Sequence, residues 1–188
     1  VFRWEGAAPY VNCMFLASYA DLFGDNGDDM TSFQVNNEQC VASMQYFQSL
    51  SAYLWMNKNN ISHDTVMNRI KDGTLVLGLC KSDILPTLYE MQSTKTEDSE
   101  TDYRISYVPS LTAELSSTAW STTYGAFVNS YGKDLAAGNM FAMYLSYAYQ
   151  DKQYNANGKL PVKDQGDQFD DMQKVLYAQY LNSKPVPK

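Results

Sequence analysis

Catalysis by a side-chain base has one candidate imidazole in this chain, because His63 is the single histidine among 188 residues. A Ser or Cys nucleophile ordinarily needs such a base beside it, oriented by a third polar group. His63 follows Ser62 in Ser62-His-Asp-Thr-Val-Met-Asn-Arg-Ile-Lys-Asp-Gly73, which puts it in the first turn of an expected helix, as a surface histidine. A glycosidase would need two carboxyl groups facing each other across a cleft. The acids of this chain gather instead at Asp25 to Asp29, Glu97 to Glu100 and Asp167 to Asp171, in polar stretches that read as solvated loops.

Other chemistries lack their mechanical parts. There is no Gly-x-x-x-x-Gly-Lys-Ser/Thr, no Gly-x-Gly-x-x-Gly after a strand and no His-Glu-x-x-His, so phosphate cradles, dinucleotide folds and zinc proteases are not indicated. Asp25-Asn-Gly-Asp-Asp29 looks like the start of a calcium loop. However, Gly27 holds the third position and Asn36 stands where the twelfth-position Glu belongs, so the segment reads as an exposed acidic turn. Cys13, Cys40 and Cys80 are odd in number and widely spaced, which fits small core hydrophobes better than a disulfide framework or a zinc ribbon. No catalytic residue, metal site or cofactor is expected.

Bulk properties narrow the partners. A net charge of −7 with no local Lys/Arg cluster repels phosphate backbones, so nucleic acid is not an expected partner. The longest apolar runs are too short to span a bilayer. Fifteen Tyr, eight Phe and three Trp supply flat faces of the kind that stack on sugar rings.

The elements that must position such side chains follow from periodicity and punctuation. Phe2 to Tyr10 reads as a strand entering a Gly/Pro loop, and Asn12 caps an expected helix through Tyr19 and Leu22 that stops at Gly24. Asn36 or Asn37 caps a long helix with Val41, Met44, Phe47 and Leu54 on its buried face. The helix from Ser62 ends at Gly73, and the apolar Thr74 to Cys80 that follows predicts a strand covered on both faces. A short helix runs over 82–91, a polar loop over 93–101, and strands over 103–108 and 118–128. Ala137, Met140, Phe141, Tyr144, Leu145 and Ala148 form a regular stripe that predicts a core-facing helix from about Lys133. Tyr154 to Val162 reads as a turn-rich connection, Phe169 to Tyr180 as a last helix, and Pro185 and Pro187 as an extended tail. The class expected from this order is α/β, a layered sheet flanked by helices, with 1–188 as a single unit and no internal repeat.

In that order, the chain resembles the maltose-binding-like solute-binding proteins that serve ABC importers. Four segments carry the resemblance: Trp4 to Tyr10 leading into a helix, Val35 to Leu50 after the acidic turn, Ile70-Lys-Asp-Gly-Thr74 as a helix-Gly-strand step, and Tyr103 to Pro109. Ala119 to Asn129 then resembles the strand before the next helix. The resemblance implies a periplasmic-binding-protein-like (type II) lobe and an inter-lobe crossover near 120–130. Members are about twice this long and close around ligand by hinge motion.

The implied function is capture of an extracellular solute, most readily an oligosaccharide, and its delivery to an ABC transporter permease without catalysis. The implied location is extracellular or cell-surface, lipid-anchored in the parent protein, or periplasmic. Tyr10, in the loop after the first strand, and Trp120, opening the crossing strand, are the ligand-facing aromatics by this resemblance. Trp4, Glu5 and Ser121 join them by proximity. Where members often carry an aromatic in a Gly-containing loop, this chain has Cys80-Lys-Ser-Asp83, so Ser82 and Asp83, with Lys81, are candidates to meet a polar ligand. The alternative is a structural or interaction module of a cell-surface protein that keeps the scaffold without the cleft. The competing roles are core tryptophan for Trp120 and, for Tyr10, a helix-entry staple on Phe15.

Overall fold

The computed structural model describes residues 2–4, 18–26, 28–54, 62–94, 102–161 and 168–185. The chain divides into two compact units, the first made of 1–80, 106–122 and 178–188 and the second of 81–105 and 123–177.

The first unit begins with β1 (Phe2–Trp4), β2 (Asp21–Leu22) and β3 (Phe33–Gln34). β2 and β3 pair antiparallel, Asp21 opposite Gln34 and Leu22 opposite Phe33. The Asp21 carboxylate closes the hairpin from inside, accepting the Gly24 amide at 2.9 Å through Oδ1 and the Ser32 hydroxyl through Oδ2. The turn needs positive φ at two successive residues, Phe23 (67°) and Gly24 (72°), and a bulky Phe in that region is strained unless its surroundings hold it. The Phe23 amide donates to the Ser32 carbonyl at 2.7 Å and its ring meets Phe33 at 6.0 Å, which supplies that hold. In the exposed acidic turn, Asp29 accepts the Thr31 hydroxyl at 2.6 Å and the Thr31 amide at 2.9 Å. These bonds keep its carboxyl below the ordinary range.

Helix α1 (Glu38–Leu54) starts at Asn37, whose Oδ1 accepts the Cys40 amide at 2.8 Å while its Nδ2 donates to the Tyr19 carbonyl at 3.0 Å. The buried line of α1 runs through Cys40 and Ser43, whereas Val41 and Met44 are exposed. The expected buried face is therefore displaced by about one residue, or roughly 100° around the helix. The physical reason is the cap: Asn37 fixes the first turn to the Tyr19 backbone, and this anchor outweighs the larger apolar area of Val41 and Met44.

Helix α2 (His63–Lys71) matches the sequence expectation, with the Ser62 hydroxyl accepting the Thr65 amide at 3.3 Å. Beyond it, Gly73 takes φ 72° and Asp72 accepts the Thr74 amide and hydroxyl, a local arrangement that also holds the Asp72 carboxyl below its ordinary range. The chain then enters β4 (Leu77–Leu79), which pairs parallel with β1 in the register Phe2 with Leu77, Arg3 with Gly78, and Trp4 with Leu79. Gly78 lets Ile70, Val66 and Leu75 close over β4, the nearest atom lying 3.2 Å from where a Cβ would stand. Val66 and Leu75 are the buried residues of this layer. The unit is completed by β5 (Trp120–Ser121) and β6 (Lys184–Pro185), which pair parallel.

The layered α/β sheet and type II lobe expected from the sequence are not what forms. Among the described residues, strand structure is confined to three separate ladders of two strands each, and helix dominates. The stretch 103–108 has no strand partner; the Val108 amide is satisfied by the Gln179 side chain at 2.8 Å. Of 118–128, only Trp120 and Ser121 enter a ladder. Nor is 74–80 covered on both faces, since Val76 and Leu77 lie open to solvent. A run of strand formers fixes local extension, but a sheet needs neighbours for every edge, and here each ladder has only one pair. The expected helix from Asn12 lies outside the described residues apart from its end, where Tyr19 is in a turn and Leu22 is in β2.

In the second unit, a single 3₁₀ turn at Ser82–Ile84 runs directly into α3 (Leu85–Ser93), with Pro86 in the first turn, where its missing amide costs nothing. Ile84, Leu85 and Leu88 are buried. Helix α4 (Leu135–Met143) is capped by Asp134, whose carboxylate accepts the Ala137 amide at 2.9 Å, and continues as a π-helical turn at Tyr144–Ala148. Helix α5 (Gln150–Asn157) takes in Tyr154 to Asn157, the start of the stretch expected to be a turn-rich connection. It ends at Gly158, φ 64°, so the Gly signal marked a C-cap rather than a free loop. Helix α6 (Asp171–Leu181), of which 171–177 belong to this unit and 178–181 to the first, is capped reciprocally: the Asp170 carboxylate accepts the Gln173 amide at 2.8 Å and the Gln173 side chain accepts the Asp170 amide at 2.9 Å. Pro185, expected in an extended tail, belongs to β6.

Candidate functional site

Of the seven residues the sequence puts forward, Glu5 and Tyr10 lie outside the described residues. Trp4 is placed by its backbone at the end of β1, opposite Leu79. Trp120 and Ser121 form β5, both half-buried, and lie opposite Lys184 and Pro185. The Lys184 amide donates to the Ala119 carbonyl at 3.0 Å, and the Ser121 hydroxyl donates to the Lys184 carbonyl at 3.4 Å. β5 is therefore held at its start by backbone pairing and at its end by a long side-chain bond.

The Trp120 indole Nε1 is buried and has no acceptor among the described residues. A buried donor left without a partner costs about 1–3 kcal/mol, and native structures seldom tolerate one without a reason. The approach to β5 is built with care. Tyr19 receives the Ser116 amide on its hydroxyl at 2.8 Å and donates to the Glu114 carbonyl at 3.1 Å, while the Ser18 and Thr118 hydroxyls meet at 2.6 Å. Thr112 closes the turn before this by accepting the Leu115 amide at 3.0 Å. These bonds fix the chain that delivers Trp120.

Ser82 and Asp83 stand in the second unit, in the 3₁₀ turn that opens α3. Asp83 makes an ion pair with Lys81 at 3.7 Å, so the two polar groups proposed to meet a ligand are turned towards each other. The Ser82 carbonyl is crowded by Gly158: a Cβ on that glycine would fall 1.8 Å from the oxygen. The backbone of this turn is thus seated against the C-terminus of α5, with only hydrogen at the contact.

A polar cluster that sequence reasoning missed also lies in the second unit. The Tyr89 hydroxyl donates to the Asp170 carboxylate at 2.6 Å and shares a 2.9 Å bond with the hydroxyl of Tyr154, which is 2% exposed. Burial pushes the Tyr154 phenol up to about 12, the bond with Tyr89 opposing the rise and the Asp170 charge adding to it. Burial, then the Asp170 bond, raises Tyr89 further still. Phenols held protonated are donors rather than bases, and the cluster ties α3, α5 and the cap of α6 together. The missed signal was Tyr154 in a polar segment, where composition suggests a turn.

Among the described residues, no group of three His, Cys, Asp or Glu side chains is close enough to hold a metal ion. Cys40 is buried and free, and Cys80 is half-buried. No described helix is long and apolar enough to cross a membrane. No family model, curated protein or solved structure matches the chain.

Proposed function

We propose that this chain is part of an extracellular protein that captures a small solute, most readily an oligosaccharide, and hands it unchanged to an ABC transporter permease. The reading stands on the residues that resemble maltose-binding-like proteins and on one observation at β5. That observation is Trp120: an aromatic ring at the start of a short strand whose buried Nε1 donor lacks an acceptor among the described residues. A sugar offers the half-buried ring an apolar C–H face, and its hydroxyl oxygens supply acceptors that reach the buried Nε1 once β5 shifts to open it. Binding there is, on this reading, non-catalytic. On this reading the protein acts at the cell surface or in the periplasm, anchored by lipid in its parent form.

Calorimetric titration of the full-length protein with a panel of oligosaccharides tests the proposal. Trp120→Ala should weaken sugar binding at least tenfold, about 1.4 kcal/mol. Trp120→Phe, which keeps a ring and removes the donor, should fall between the two. Equal affinity in wild type and Trp120→Ala would remove the site. The second reading, an interaction module of a cell-surface protein, is favoured by one specific feature, the open apolar face of α4.

A further inference from the structure

The outward side of α4 and its π-helical extension is apolar and largely exposed. Gly138, Ala142, Leu145 and Tyr149 are half-buried and face the second unit, whereas Met140 (73% exposed), Phe141, Met143, Tyr144 and Tyr147 (70%) are open to solvent. The preceding segment is held to α4 by Val128, whose Cγ1 lies 2.8 Å from where a Cβ on Gly138 would stand, and it brings Phe127 (91%) and Tyr131 (93%) with it.

We infer that this face binds a second copy of the same chain, pairing α4 with α4 about a twofold axis. Charge makes the first argument. The chain carries −7 overall, which opposes self-association through most of its surface, yet Leu135 to Tyr149 contains no charged residue. Two copies can therefore approach through this face without bringing like charges together. Area makes the second. Aromatic side chains bury 150–250 Å² each, so these residues offer on the order of 1,000 Å², and a stable interface takes about 800 Å² from each partner. Self-complementarity makes the third. In an antiparallel pairing a residue before the midpoint meets one after it, so Phe141 of one copy falls beside Tyr144 of the other. The same pairing brings Asp134 of one copy near Lys152 of the other. Methionine and tyrosine suit such a face, the first by adapting to its partner and the second by keeping its hydroxyl wet at the rim.

The inference is independent of the solute-binding reading, and its test reads mass rather than ligand. Sedimentation velocity and light scattering on the 188-residue chain should give a species of twice 21.3 kDa that dissociates on dilution. Phe141→Glu combined with Tyr147→Glu should yield a monomer at the same concentration with an unchanged far-UV circular dichroism spectrum. Met30→Glu, at an exposed methionine of the first unit, should leave the dimer intact. A monomer at every concentration, larger species without a dimer, a dimer that survives the double variant, or one lost in Met30→Glu would each overturn it.

Discussion

Helices α4 and α5 follow one another in the second unit and invert the usual relation between apolarity and burial. α4 is the more apolar of the two in sequence, Leu-Ala-Ala-Gly-Asn-Met-Phe-Ala-Met, and its large side chains stand in solvent. α5 reads Gln-Asp-Lys-Gln-Tyr-Asn-Ala-Asn, yet it supplies Tyr154, one of the most deeply buried side chains of the described residues. Among the described residues α5 carries an anchor that α4 does not show, a phenol bonded to Tyr89 at 2.9 Å, and its C-cap glycine admits the Ser82 backbone where Gly138 of α4 meets only the Val128 side chain. Transfer free energy is non-directional and is satisfied by any apolar neighbour. A hydrogen-bonded ring and a close backbone contact are satisfied in one place only, so they decide which helix is fixed in the interior.

If anchors decide, their removal should cost most. Tyr154→Ala is expected to destabilise the chain by about 4 kcal/mol, and Gly158→Ala by about 3 kcal/mol through left-handed strain and the clash with the Ser82 carbonyl. Both are measured by urea unfolding. Gly73→Ala is the control within this pair. Its φ is also positive, 72°, but open space surrounds it, so only about 1 kcal/mol should be lost. Equal losses at the two glycines would show that close approach at Gly158 contributes nothing.

Smaller effects refine the comparison. Tyr89→Phe, which takes the donor from Asp170 and the partner from Tyr154, should cost about 2 kcal/mol. Tyr154 also predicts an alkaline transition. Its phenol ordinarily titrates at 10.0 and is raised to about 12 in the folded chain, so the folded state holds that proton more tightly. The associated stability is complete below pH 10 and is lost as pH rises from 10 through 12. Thermal melts across this range should show the loss, and Tyr154→Phe should reduce it, with the raised Tyr89 phenol supplying the remainder. On α4, Met140→Ala measured at a dilution that leaves monomer should change stability by no more than about 0.5 kcal/mol. A loss of several kcal/mol there would mean that α4 is covered within the monomer after all.

Legibility in the sequence followed the same division. The helix over 63–71 was readable because Ser62 and Gly73 act locally, through a cap bond and a left-handed turn. The start of α1 at Asn37 was readable for the same reason. Rotation about the axis was not. The buried line of α1 passes through Cys40 and Ser43 and the half-buried line of α4 through Gly138 and Ala142, small residues that a search for large apolar ones passes over. Extended stretches were recognised, but whether they become strands depends on partners distant in sequence, and 103–108 found a glutamine side chain instead. Trp120 opens a strand of two residues within the expected 118–128, and one of the residues opposite it, Pro185, lies where the sequence predicts only an extended tail.

The β5–β6 pairing sets an order of events during synthesis. Ser121 and Lys184, which meet across it, are 63 residues apart, so Trp120 leaves the ribosome well before the segment that will lie beside it. Contacts of such span close late and slow the overall rate. The nascent chain must therefore carry a half-exposed indole until Lys184 emerges, a window in which holdase chaperones would find it.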